Sequence, residues 1–381
     1  MKKKFWISLL TAACLGVTSI SNAIACTTLL VTDVNGNGYH GRTVEFSGLM
    51  PANMNFYPAG TTIESVTPSG AQGMTFNTKY PILGMSSPVV ANAKKPFILE
   101  GVNNQGVSFS ANILDGSKAP PLGTDASKIL SVNDLGAWIL GSFKNVAEVK
   151  AAILGNSAEF WLPTLLSFGN LPAPVHYAVF DKKGNGIVVE LFNGKINVHD
   201  NLVNAMANGP DFSWHLQNLS NYTFTNVDKN TGQLGKLKLA TQDAGIALTA
   251  LPSAQTSQGR FVRAAFYANY VRKAKTPDEA IITLGHIMNN FDRPLDLTVD
   301  GTGGSGDGVS AGGKKSLSSE TTNYTVMNDL SRNLFYVRSI NAMNWSVVDM
   351  NKLVDTVKTV KTISTYDIDK PGADIFTLFN R

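Results

Sequence analysis

Cysteine is nearly absent from this chain of 381 residues: only Cys14 and Cys26 occur. Once the first 25 residues are set apart, a single cysteine is left, which excludes an intramolecular disulfide and a multi-cysteine metal site. Histidine is equally sparse. His40, His176, His199, His215 and His286 show no HExxH or other ligand spacing, so no metal and no cofactor are expected. Beyond residue 25 no apolar run approaches the roughly 18 residues that span a bilayer. An excess of one charge is lacking too. The formal net charge is +4, but Lys2, Lys3 and Lys4 account for three of the 32 basic residues, leaving 29 against 28 acids. A chain so balanced has no electrostatic reason to bind nucleic acid or an anionic membrane. With 43% apolar and 16% charged residues and no internal repeat, it reads as an ordinary globular protein.

Gly308–Lys314 imitates a phosphate-binding loop, but Lys315 stands where Ser or Thr is needed and no apolar strand precedes the segment. The surrounding Gly301–Gly313 is the one low-complexity stretch and is expected to be a surface loop.

The N-terminus carries the first positive signal. Lys2–Lys4 precede the apolar stretch Phe5–Ile20, and Ala23-Ile24-Ala25 ends it with a small-x-small site. This is the pattern of a secretory signal peptide, residues 1–25, cut after Ala25. A periplasmic or secreted protein is expected, with residues 26–381 forming one domain that starts at Cys26.

The β-branched run Cys26–Thr32, the turn cluster Asp33–Gly38 and the run Tyr39–Phe46 predict a hairpin. Further strands are predicted at Phe97–Leu99, Val107–Asn112, His176–Phe180, Gly186–Leu191, Ile196–His199, Thr322–Asp329 and Asn333–Ser339, with Asp181–Gly186 as a hairpin turn. Apolar spacing predicts helices over Ser131–Phe143, Val146–Leu154 and Arg260–Ala274, and again after Thr276-Pro277 through Met288. Strands alternating with helix pairs predict a layered α+β domain with sheets inside and helices outside.

Cys26 holds a thiol and, once residues 1–25 are removed, an α-amine in one residue. That amine, with an ordinary pKa near 7.7–8.0, is a base within reach of the thiol proton. The same position also suits a lipid-anchored, non-catalytic binding protein, although lipoprotein signals usually carry Leu where this chain has Ala23. Arg42 and Glu45 return beside Cys26 on the second strand. A guanidinium there lowers a thiol pKa, and a carboxylate can hold the amine; a plain surface ion pair across the hairpin is the competing reading. On the same footing Asn208 is a turn residue before Pro210, and Arg260 a cation at a helix start.

Four separated segments give the chain a resemblance to a known family. These are Cys26 with Arg42 and Glu45, then Asn208-Gly-Pro-Asp-Phe-Ser-Trp-His-Leu-Gln-Asn-Leu-Ser-Asn-Tyr222, Arg260-Phe-Val-Arg-Ala-Ala265, and Ser319-Glu-Thr-Thr-Asn-Tyr-Thr325. Across essentially the whole mature chain they resemble the choloylglycine hydrolases, the bile salt hydrolases and penicillin V acylases among the N-terminal-nucleophile hydrolases. The resemblance implies a four-layer αββα sandwich and hydrolysis of linear amides. It makes Cys26 the nucleophile, Asn208 an oxyanion-hole side chain, Arg42 and Arg260 catalytic support, and Ile113 the bearer of a backbone oxyanion donor. Glu45 stands where the family usually has aspartate, and the Ile113 side chain departs from the polar or aromatic residue common there. A homotetramer is implied by the same analogy. An exported relative is expected to favour amides with an apolar acyl arm, such as penicillin V or N-acyl homoserine lactones, over conjugated bile salts. Phe46, Met50 and Phe56 are candidates to line the substrate pocket, core packing being their alternative.

Overall fold

The computed structural model describes residues 25–47, 49–87, 96–165, 171–229, 232–295, 297, 308–309, 315–316, 320–368 and 375–380. The expected signal segment up to residue 24 and most of Gly301–Gly313 lie outside the described residues.

The predicted hairpin is formed by β1 (Cys26–Thr32) and β2 (Gly38–Ser47). Asp33 closes its turn by accepting the backbone N–H groups of Asn35 and Asn37 at 2.8 and 2.9 Å, the local role that suits aspartate to turns. The register pairs Cys26 with Val44, Thr28 with Arg42 and Leu30 with His40, which puts all six side chains on one face. Next come β3 (Asn53–Tyr57), β4 (Ile82–Ser86), β5 (Ile98–Asn103) and β6 (Val107–Ile113). They are followed by β7 (Val175–Asp181), β8 (Gly186–Phe192), β9 (Lys195–Asp200) and β10 (Ala205–Met206). The last strands are β11 (Glu320–Asp329), β12 (Leu334–Ser339), β13 (Ser346–Asp349) and β14 (Lys361–Ser364).

These strands build two antiparallel sheets. One is six-stranded in the order β10-β1-β2-β11-β12-β13; the other is eight-stranded, β9-β8-β7-β6-β5-β4-β3-β14. The helices α1 (Val132–Ser142) and α2 (Val146–Leu154) cover the eight-stranded sheet. A short α3 (Phe212–Asn218) follows β10. The six-stranded sheet is covered by α4 (Ser257–Tyr270) and α5 (Pro277–Asn289). The layers run helix, sheet, sheet, helix, an α+β sandwich. Among the described residues no helix is long and apolar enough to cross a membrane.

One helix differs from its predicted span. α4 begins at Ser257 rather than near Arg260, because the Thr256 side chain caps it by accepting the Gly259 N–H. α5 starts where Thr276 and Pro277 predict, with Thr276 accepting the Glu279 N–H. The inner space between the sheets is not wholly apolar. His40 is fully buried there, with Nε2 2.7 Å from Thr28 Oγ1 and 3.2 Å from Ser110 Oγ, while Asn328 Nδ2 donates to Nδ1 at 3.1 Å. Burial, aided by the nearby Arg42 charge, pushes its pKa down to about 3, so the ring is neutral.

The turn joining β5 to β6 needs glycine. Gly106 has φ +82°, and a Cβ there would lie 2.4 Å from the Leu330 carbonyl oxygen. Gly106→Ala is therefore expected to lower stability by about 1–3 kcal/mol. The check is urea unfolding, read as a lower midpoint at unchanged slope.

Candidate active site

The first strand delivers Cys26 to the rim between the sheets, where its side chain is fully buried. From the adjacent strand Arg42 brings Nη2 to 3.3 Å from the sulfur. The same guanidinium donates to the carbonyls of Leu99 (2.6 Å) and Ala111 and forms an ion pair with Glu100. Arg42 and Glu100 are both buried, so each charge is compensated where water cannot reach. The carboxylate opposite Arg42 is thus Glu100 of β5, not Glu45, and no surface pair spans the hairpin. The expected depression of the thiol pKa is also corrected. Burial raises the thiol more than Arg42 lowers it, and Cys26 is pushed up to about 11. A thiol in this state is protonated at neutral pH and needs a base before it can attack.

Asn208 follows β10 directly. Its Oδ1 accepts from Cys26 N at 2.7 Å and from Arg260 Nη2 at 2.8 Å. Two donors on Oδ1 decide which way the amide is turned, and Nδ2 faces the Ile113 carbonyl at 3.2 Å. Arg260, buried in the first turn of α4, also donates to the Cys26 carbonyl and to Thr27 Oγ1 (2.9 Å). Leu114 N–H bonds to Pro174 O at 2.9 Å, on the β7 side of the strand. Ile113, one residue earlier, turns its N–H and C=O the other way. Its carbonyl meets both Asn208 Nδ2 and the Gly209 N–H (3.1 Å). The Ile113 N–H and the Asn208 amide therefore lie on the same side of β6 as Ala111 O, which Arg42 binds. The Ile113 side chain packs part-buried against the core.

Glu45 reaches the site but not the Cys26 nitrogen, which donates to Asn208 instead. The register shifts between Val44 and Glu45, and the Glu45 N–H donates to Ala25 O at 2.8 Å. Its carboxyl accepts from Thr322 Oγ1 at 3.2 Å. Burial, only partly offset by Arg260, pushes the Glu45 pKa up to about 7. Of the three proposed pocket residues, Phe46 and Met50 are buried close behind Glu45 in the chain, with Met50 N–H donating to Asn323 Oδ1 at 2.6 Å. Phe56 is fully enclosed, its ring edge-on to Phe379 at 6.4 Å. It is a core residue, because β3 is an inner strand, paired with both β4 and β14.

Several site residues were not anticipated. Besides Glu100, Asn112 Nδ2 donates to Ala207 O (2.8 Å) and to Cys26 O (3.4 Å). Ser257 Oγ accepts the Asn208 N–H at 3.0 Å, and His215 Nε2 donates to Asn208 O at 2.8 Å. The available signal was Ser108, Ser110 and Asn112 alternating along one strand, a polar stripe where an apolar one is usual. Among the described residues no group of three or more His, Cys, Asp or Glu is placed to hold a metal ion.

An αββα sandwich that sets a buried cysteine against two guanidinium groups and a clasped amide is the architecture of an N-terminal-nucleophile hydrolase. Within that class the chain belongs to the choloylglycine hydrolase family of linear amide C–N hydrolases, whose model matches residues 26–361. The chain is accordingly an enzyme that hydrolyses linear amide C–N bonds. It is 27% identical over 359 residues to a bile salt hydrolase/transferase of Clostridium perfringens, covering 89% of this chain and 98% of that protein. A bile salt hydrolase/transferase of Lactiplantibacillus plantarum is 26% identical, over 74% and 81% of the two chains. In fold it is similar to the conjugated bile acid hydrolase of Clostridium perfringens (TM-score 0.69, 24% identity, 89% and 96% of the chains). It is also similar in fold to the penicillin V acylase of Agrobacterium tumefaciens (TM-score 0.66, 22% identity, 88% and 90%).

The Glu45 carboxyl makes a prediction about pH. Its folded pKa, about 7, lies above the ordinary 4.5, so the stability it contributes is present below about pH 4.5 and is lost as pH rises towards 7. Urea unfolding across that interval is expected to show the wild type losing stability relative to Glu45→Gln. Parallel curves for the two proteins would contradict the assignment.

Proposed function

We propose that this enzyme is exported, begins at Cys26 after removal of residues 1–25, and deacylates amides with an apolar acyl arm such as penicillin V or N-acyl homoserine lactones. The observation that carries the mechanism is the Cys26 nitrogen, 2.7 Å from Asn208 Oδ1, in the same residue as the thiol. Freed as an amine, that nitrogen takes the thiol proton, and Sγ bonds to the substrate carbonyl carbon. The carbonyl π pair moves onto oxygen, where Asn208 Nδ2 and the Ile113 N–H receive it. The C–N bond then breaks as the ammonium proton passes to the leaving nitrogen, and water hydrolyses the thioester. Arg42 and Arg260 hold thiol, carbonyl and amide in place throughout.

Ala25 supports the processing step. It is 5% exposed and bonded to Glu45 N–H beside the thiol, so its departure opens the space above Cys26. Conjugated bile salts are the second reading, favoured by the bile salt hydrolase/transferases among the relatives.

Two measurements test this reading. Turnover of penicillin V, an N-acyl homoserine lactone and glycocholate is compared side by side for the wild type and Cys26→Ser. Acylase activity that collapses in the folded, exported variant is expected; activity on glycocholate alone would overturn the acyl preference, and unchanged turnover would remove Cys26 from the mechanism. The intact mass of the exported protein is expected to start at unmodified Cys26. A diacylglyceryl or N-acyl adduct there would instead mark a lipid-anchored protein and block the amine or the thiol.

A further inference from the structure

Behind Asn208 lies a buried histidine–glutamate pair that none of these steps uses. His176 of β7 and Glu190 of β8 face each other in register, and each is 1% exposed. His176 Nδ1 is 3.0 Å from Glu190 Oε1, and Nε2 is 3.0 Å from Ala207 O. A carbonyl oxygen only accepts, so Nε2 donates to Ala207. Burial raises the Glu190 pKa, but hydrogen bonds from His176, His199 and the Phe212 N–H outweigh it and hold the group at about 2. Nδ1 lies against that carboxylate, which also only accepts.

The pair grips the chain on both sides of Asn208. His176 holds the carbonyl of the residue before it, helped by Asn112 Nδ2 at 2.8 Å. Glu190 Oε1 accepts the Phe212 N–H, at the start of α3, at 2.9 Å. On the solvent side His199 Nε2 lies 3.5 Å from Glu190 Oε2. The row Asn112, His176, Glu190 runs straight across three neighbouring strands. Its hydrogen bonds converge on Ala207–Phe212.

We propose that His176 and Glu190 are positioning residues for amide hydrolysis, a buried hydrogen-bonded pair that fixes Ala207–Phe212 so that Asn208 Nδ2 meets the oxyanion formed at Cys26. The proposal rests on the reading of Asn208 as an oxyanion donor. Moving such a donor by an ångström loses up to about a hundredfold in rate, so the pair acts on kcat through geometry alone.

The test is a double-mutant cycle in the processed protein, on whichever of the three amides above the wild type cleaves. Asn208→Ala is expected to lower kcat by about 10²–10³. Glu190→Gln is expected to lower kcat by roughly 10- to 100-fold with KM changed less than about threefold. His176→Gln, whose Nε2 still reaches Ala207, is expected to keep more of kcat than His176→Leu. In an Asn208→Ala background Glu190→Gln is expected to cost nothing further. Full kcat in Glu190→Gln, or an equal further loss in the Asn208→Ala background, would overturn the proposal while leaving Asn208 in its role. Full kcat in Asn208→Ala would overturn the oxyanion reading and the proposal together. Should His176→Leu fail to fold, the Glu190→Gln cycle decides alone.

Discussion

The buried guanidinium of Arg42 is the group on which the rest of the site depends. It stands on the six-stranded sheet, yet three of its partners, Leu99 O, Glu100 and Ala111 O, belong to the eight-stranded one. It is therefore a clamp between the two layers as well as the cation nearest the thiol. Breaking one side of such a buried pair costs about 3–5 kcal/mol, because the remaining charge is left without water or a partner. Stability and chemistry are thus tied to one side chain, and the thiol is positioned by the same bonds that hold the sheets together.

Asn208 is held by a different part of the molecule. Its carboxamide oxygen is fixed by Cys26 N and Arg260, its backbone by Ser257 and His215, and its Nδ2 faces Ile113. The start of α4 supplies two of these partners, which is why the Thr256 cap, setting where that helix begins, bears on the site. In the proposed mechanism Asn208 is an oxyanion donor, and a donor whose orientation is set before substrate arrives needs no reorganisation when charge develops. The neutral, buried thiol fits the same logic. Arg42 alone does not overcome desolvation, so in the proposed mechanism the proton has to be taken by a base at the moment of attack.

Much of this was legible from residue order. The hairpin at Cys26, the span of α2 and the start of α5 at Thr276-Pro277 follow from β-branched runs, apolar spacing and a cap, all of which are local. What was not legible is what depends on pairing between distant strands. Glu100 carries no sign in one dimension that it neutralises Arg42, 58 residues away, and the register shift at Val44/Glu45 that goes with the altered role of Glu45 is a property of the ladder to β11. Strands β3, β4, β10, β13 and β14 are short and mixed in composition, so they lack the alternation that marks a strand. Phe56, named as a pocket residue for its closeness to Cys26 in sequence, is enclosed because β3 joins the other sheet. His176 and Glu190 were the nearest to being found, since they lie at similar distances on either side of the predicted turn at Asp181–Gly186.

The central claim is that Cys26 accepts the acyl group. Acid quenching during turnover, followed by intact and fragment mass spectrometry, reads this directly. A mass increase equal to the acyl arm, carried by the peptide that begins at Cys26 and removed by hydroxylamine, is the result expected for a thioester at that sulfur. An acyl group on another residue, or turnover with no covalent adduct at any quench time, would contradict it.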